Sequence, residues 1–258
     1  MSDQPLLELR GVHKRFGAVH ALRGVDFEVR AGEVMALVGD NGAGKSTLVK
    51  CVAGIYPIDE GQILWEGRPV SIHGPKDAAA LGIEVVYQDL ALCDNLDVVQ
   101  NMYLGREQLS SFWRLDEAQM EKRATEVLKE LSVTTVTSVR QTVAGLSGGQ
   151  RQSVAVAKAV LWNNKLVILD EPTAALGVAQ TRQVLDLVKR LGQQGLAVVL
   201  ISHNMSDVFE VADRITVLRL GGSVGVYKTA ETNQREIVEA ITAGELKSAP
   251  GAREGTAA

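Results

Sequence analysis

Short runs of alternating apolar and polar residues open the chain: LLELR, ALRGVDFEVR and then EVMALVG, the last apolar enough to be buried on both faces. All three predict β-structure. A Gly-rich stretch after Gly39 leads into KSTLVKCVAG, whose pattern predicts a helix stopped at Gly54. GQILWEGRPV returns to strand alternation, interrupted by a Gly suited to a hairpin. From Pro75 to about Leu131 the pattern turns helical, and Met120, Val127, Leu128 and Leu131 recur there at helical spacing between charges. Two more apolar runs, KLVILDEP and LAVVLISH, read as buried strands on either side of a helix over TRQVLDLVKRLGQQG. Strands alternating with helices imply right-handed crossovers and a parallel sheet, hence an α/β fold.

Length and composition narrow this reading without redirecting it. A chain of 258 residues fits one elaborated domain, and 46% hydrophobic with 22% charged residues is ordinary globular composition. A formal charge of -4 argues against nucleic acid as the main partner, because neutralising phosphates needs clustered Lys and Arg. Cys51 and Cys93 make neither a disulfide framework nor a metal cluster, and read as free thiols in a reducing compartment. The opening MSDQPLLELR lacks the pattern of a secretory signal, and no apolar run approaches the roughly 20 residues of a membrane span. The expectation is a soluble cytoplasmic chain with no internal repeat, ending in a flexible tail over residues 247–258.

Candidate chemistry begins with GDNGAGKS, Gly39 to Ser46, which fits the phosphate-loop pattern completely. Its glycines let backbone N–H groups curl around phosphate oxygens without Cβ obstruction, and the following helix points its positive end at the same anion. Gly39, Asp40, Asn41, Gly42, Ala43, Gly44, Lys45, Ser46 and Thr47 are therefore candidate nucleotide contacts. Lys45 is expected at the β- and γ-phosphates of a nucleotide, and Ser46 on Mg²⁺. In LVILDEP, apolar residues run straight into Asp170 and Glu171. Unpaired buried charges are costly, so two carboxylates at a buried strand's end point to a cation or a water. Strand alternation is expected to aim the two differently, Asp170 toward Mg²⁺ and Glu171 toward the attacking water as general base.

A second anion site appears at LSGGQ, Leu146 to Gln150, where Ser147 resembles an N-cap before a helical run. With these motifs in this order, the chain resembles an ABC-type ATP-binding cassette over nearly its whole length. The resemblance implies a phosphate-loop NTPase fold with a mostly parallel sheet core, an N-terminal antiparallel β region and an inserted helical subdomain. That subdomain would cover about residues 88–161 of a domain spanning 1–246. The resemblance also implies a head-to-tail dimer in which each ATP lies between one subunit's phosphate loop and Ser147, Gly148, Gly149 and Gln150 of the other. Gln88 resembles the glutamine that touches Mg²⁺ or water and relays nucleotide state to a membrane partner. His203 resembles the histidine that contacts the γ-phosphate, and Phe16 matches the aromatic that stacks on adenine. The resemblance thus implies an ATPase with Glu171, His203, Gln88 and Lys45 catalytic, and Ser46, Gln88 and Asp170 on the metal.

One position departs from the family's pattern: Gly177 stands where an Asp usually couples the two ATP sites. The surrounding EPTAALGVAQ, together with YLGRE from Tyr103 to Glu107, is similar to the ATP-binding subunits of monosaccharide importers of the ribose, xylose and fructose type. Those importers often carry two cassettes in one chain of about twice this length. The implied partners are a second ATP-binding subunit (a homodimer), an integral membrane permease and, indirectly, a substrate-binding protein, with no nucleic acid. The implied location is peripheral, on the cytoplasmic face of the membrane. Two alternatives stand beside this reading: an ABC ATPase for a non-sugar cargo, and a soluble ABC regulator of ribosomes or DNA.

Overall fold

The computed structural model describes residues 4–110, 114–162 and 164–244, so the tail expected at 247–258 lies outside the described residues. In chain order the N-terminal part forms β1 (Leu7–Phe16), β2 (Val19–Val29), β3 (Val34–Gly39), α1 (Lys45–Val52), β4 (Glu60–Trp65), β5 (Arg68–Val70), α2 (Pro75–Leu81) and β6 (Ile83–Val86). Three helices follow: α3 (Val98–Tyr103), α4 (Glu117–Glu130) and α5 (Gly148–Val160). The chain then returns through β7 (Leu166–Asp170), α6 (Val178–Gln193), β8 (Ala197–Ile201) and α7 (Met205–Val211). It ends in β9 (Arg214–Arg219), β10 (Gly222–Lys228) and α8 (Gln234–Ala243).

The strands make two sheets. One is antiparallel, in the order β2-β1-β4-β5, and the other runs β10-β9-β3-β8-β7-β6. The second sheet is parallel throughout except for β10, which pairs antiparallel with β9. Its central strands are apolar on both faces because both faces are covered. Alternate residues divide between two cores: Ala36, Val38, Val167 and Leu169 face the helices, whereas Met35, Leu37, Leu166 and Ile168 face α1 and the antiparallel sheet. Burying one such Val, Leu or Ile contributes about 1.5–3 kcal/mol relative to exposure.

One expectation is corrected here. The helical reading of Pro75 to Leu131 is interrupted by β6, four residues that pair with β7 in parallel register from Ile83↔Leu166 to Val86↔Leu169. Only Ile83 and Val86 of this edge strand are buried, so a run this short leaves no lasting alternation. Among the described residues the rest of that region holds α2, α3 and α4 joined by loops, and Met120, Val127, Leu128 and Leu131 are buried together as their spacing predicts.

The helices α3, α4 and α5 lie in the chain between β6 and β7, two strands that are neighbours in the sheet. Entry to α3 is fixed by a capping box: the Asp97 carboxylate accepts from Gln100 N at 2.7 Å, and Gln100 Oε1 accepts from Asp97 N at 3.1 Å. Asn101, fully buried, accepts from Cys93 N and donates to the Cys93 carbonyl, which pins the loop before it. Among the described residues no helix is long and apolar enough to cross a membrane.

Candidate functional site

Parallel α/β sheets bind ligands beyond the carboxyl ends of their strands. Four candidate segments leave the second sheet at those ends: Gly39–Thr47 after β3, Gln88 after β6, Asp170 and Glu171 at the end of β7, and His203 after β8. A cavity of about 570 Å³ opens there, lined by the phosphate-loop residues Asn41 to Thr47 and by Gln88, Asp170 and Glu171. Thus residues from three separate loops converge on one space.

The loop's shape follows from two glycines. Gly39 (φ 155) sits so close to the β9 backbone that a Cβ there would run into the Leu218 carbonyl. Gly44 (φ 105) caps α1, and its Cβ would meet Leu22 Cδ2 at 2.9 Å. Lys45 folds back over the loop, with Nζ donating to the carbonyls of Gly39 at 2.7 Å and Asp40 at 3.0 Å. Burial lowers the Lys45 ammonium's pKa, while Glu171, Asp40 and Asp170 pull it back up.

Both carboxylates reach the cavity, from different backbone. Asp170 ends β7, but Glu171 lies past the strand in left-handed backbone (φ 51), and both line the cavity. A non-glycine residue in that region carries about 1–3 kcal/mol of strain, held here by the Glu171 N–H bond to the Ile201 carbonyl at 3.0 Å. Burial raises the Asp170 pKa, the adjacent Glu171 charge raises it further, and Lys45 and Lys50 oppose both. Glu171 Oε2 lies 2.7 Å from His203 Nδ1, so the histidine meets the carboxylate directly even though it is absent from the cavity wall.

Phe16 also stands outside the cavity wall. Its ring packs edge-on against Tyr56 at 5.0 Å, with Lys14 Nζ 5.5 Å from its centroid, and it is 41% exposed. Val19 and His20, just across the β1–β2 turn, do line the cavity. Sequence reasoning missed these two together with Ala21, Arg23, Ile201, Leu220 and Gly221, which also line the cavity. Gly221 reaches it through bonds to Arg23 N and the Ala43 carbonyl, a meeting of segments remote in sequence that no local motif announces.

Ser147, Gly148, Gly149 and Gln150 are not brought to this cavity. They open α5, where Ser147 Oγ accepts from Gln150 N and Gln150 Oε1 accepts from Ser147 N, the N-cap expected. Ser147 and Gly148 are exposed, and Gly149 is packed so tightly on α6 that a Cβ would touch Gln180 at 3.0 Å. Gly177 caps α6 with its backbone alone, its N–H donating to Gln180 Oε1 at 3.2 Å.

This arrangement has relatives. The family model described as ABC transporter matches residues 22–174, from β2 through the carboxylate pair. The chain belongs to the ABC transporter family. As an ABC cassette it is 47% identical over 248 residues to the fructose import ATP-binding protein FrcA of Rhizobium meliloti, covering 94% of this chain and 95% of the relative. It is equally 47% identical over 242 residues to the xylose/arabinose import ATP-binding protein XylG of Sulfolobus acidocaldarius, with the same two coverages. The ribose import ATP-binding protein RbsA of Yersinia pestis matches at 43% identity, and there the cassette spans only 46% of the relative's length. Among solved structures, a nucleotide-free ATP-binding cassette from an ABC transporter shares the fold at a TM-score of 0.80 over 93% of this chain and 95% of that one, with 24% identity.

Proposed function

We propose that this cassette is the ATP-hydrolysing subunit of an ABC importer for a monosaccharide. The observation that carries the cargo class is end-to-end similarity to two sugar import ATP-binding proteins of the same single-cassette length. The chemistry is supported by the convergence of the phosphate loop, Gln88, Asp170 and Glu171 on one cavity.

In this reading the ATP triphosphate lies along Gly39–Thr47, where backbone N–H groups and the start of α1 meet its charge. Lys45 leaves its carbonyl partners for the β- and γ-phosphates. The oxygens of Ser46, Gln88 and Asp170 are a hard donor set fitting Mg²⁺, and a cation would relieve the burial and like-charge strain on Asp170. When bound, that ion supplies charge neutralisation along the phosphates. Glu171 polarises the attacking water as general base, and His203, held against it, reaches the γ-phosphate. Phe16 offers its face to adenine.

Ser147, Gly148, Gly149 and Gln150 stand exposed or at an exposed helix start, so they serve the cavity of a second cassette, and ATP closes the pair. The unit of residues 88–161, within a domain of 1–246, passes that motion to an integral membrane permease. A groove lined by Ile55, Ala79, Val85, Tyr87 and Arg106, next to Gln88, offers the permease a seat. The cassette then works at the cytoplasmic face of the membrane, and a substrate-binding protein reaches it only through the permease.

Two measurements test this. Lys45→Ala is expected to abolish ATP turnover, and unchanged activity would remove the assignment of the phosphate loop. Removing the chain from its own cells is expected to abolish uptake of one labelled monosaccharide among fructose, xylose, arabinose and ribose. Intact uptake of all four, with loss of another solute, would reassign the cargo and leave the ATPase standing.

A further inference from the structure

The Glu171–His203 pair is carried by the loops that follow β7 and β8. The His203 side chain is 75% exposed, so packing does not fix its ring, and Glu171 rests in strained backbone. Behind both loops lies Asp207, in the first turn of α7 and only 6% exposed. Its Oδ2 accepts from Thr173 Oγ1 at 2.7 Å and its Oδ1 from Asn204 Nδ2 at 3.0 Å. Thr173 stands two residues beyond Glu171, and Asn204 directly follows His203. Asn204 is itself fixed, with its N–H donating to Ser202 Oγ at 3.0 Å and its Oδ1 accepting from Ser206 N at 3.0 Å.

A buried carboxylate is costly, and both donors here are neutral. What a carboxylate offers that an amide does not is acceptance on both oxygens at once. It therefore closes a bridge between two loops that leave neighbouring strands, β7 and β8, and that also meet at the 2.7 Å contact of Glu171 with His203.

We propose that Asp207 is a positioning residue for ATP hydrolysis: through Thr173 and Asn204 it sets the spacing of Glu171 and His203. It touches neither the cavity nor its contents, and it acts on how well the pair is aimed. Misaiming of an ångström or less is enough to slow a reaction severely while leaving substrate binding intact. The inference rests on the catalytic roles proposed for Glu171 and His203.

The test is steady-state ATP hydrolysis by the purified full chain with Asp207→Asn, Thr173→Val, Thr173→Ser and the Asp207→Asn/Thr173→Val double variant. An amide at 207 keeps the volume but withdraws the charge and one acceptor, so the Thr173 hydroxyl must turn from donor to acceptor to keep the bridge. Thr173→Val, which has no hydroxyl to turn, is expected to lower kcat about tenfold with KM for ATP within about twofold, and Asp207→Asn to lower kcat by less at the same KM. Thr173→Ser, which keeps the hydroxyl, is expected to retain activity, and the double variant to be no slower than the slower single. Thr173 variants keep the question answerable if Asp207→Asn fails to fold. Normal kcat in Thr173→Val, or losses that multiply in the double variant, would overturn the positioning role. Glu171→Gln run alongside separates the two levels: if it hydrolyses ATP at the wild-type rate, the reading of the catalytic pair falls and the inference with it. If it is inactive while Thr173→Val is normal, the positioning role alone falls.

Discussion

Gly39 and Glu171 both hold backbone that the site cannot exchange for something easier, and they differ in how visible they are. A side chain at Gly39 meets the Leu218 carbonyl, a backbone atom that cannot step aside. Gly39→Ala is therefore expected to destabilise the fold by more than about 2 kcal/mol and to weaken nucleotide binding, checked by thermal melts with and without ATP. Glu171→Gln keeps shape and removes the carboxylate proposed as base; it is expected to trap an ATP-bound pair of cassettes, seen as a doubled mass by light scattering. A species that remains monomeric with ATP and Mg²⁺ would count against a shared site. The glycine was legible because GDNGAGKS is a local pattern whose meaning lies in its own spacing. The conformation of Glu171 was not legible, nor was its contact with His203, because both depend on how β7 and β8 end side by side. His20 and Arg23 escaped for the same reason: nothing in their own neighbourhood marks them, and only the β9–β10 turn makes them a rim.

Elements were readable in proportion to their length and to how completely they are buried. β3, β7 and β8, covered on both faces, stand out as unbroken apolar runs, and α4 shows its buried stripe. β6 hides among helices because half of it is uncovered at the sheet's edge. At the opposite end of the sheet from the site, charged groups fasten β3 to β9. Glu33 accepts from Arg30 N at 2.8 Å and from Arg214 Nη1 at 3.2 Å, and Asp213 accepts from Val34 N at 2.8 Å. Burial raises the Glu33 pKa despite those partners. A carboxyl raised in the folded state binds more protons folded than unfolded in the window above its ordinary value near 4.5. Stability attributable to it thus falls as pH rises through that window and then levels off. Glu33→Gln removes this slope, so the melting temperature of the variant minus that of wild type should grow more positive from pH 4 to pH 7. A difference that is flat or shrinks over this range would show that the arginine pairing outweighs burial.

At the scale of the molecule, family membership and the α/β class were open to reading because motif identity and motif order agree over most of the chain. The cargo class was harder to reach from within, since energy-coupling subunits do not touch what is carried. Sugar importers often carry two cassettes in one chain, whereas the fructose and xylose/arabinose relatives are covered over 95% of their own length by this chain. The parallel sheet has one more consequence. Because neighbouring residues of β3 and β7 belong alternately to the two cores, the sheet is a party wall, and neither room can be emptied while the other stays furnished. Loss of either core strips one side of strands that the other still needs. The two cores should therefore melt together, giving one calorimetric transition whose heat equals the van't Hoff value, and a change as local as Leu9→Ala on the antiparallel side should lower that single transition without splitting it.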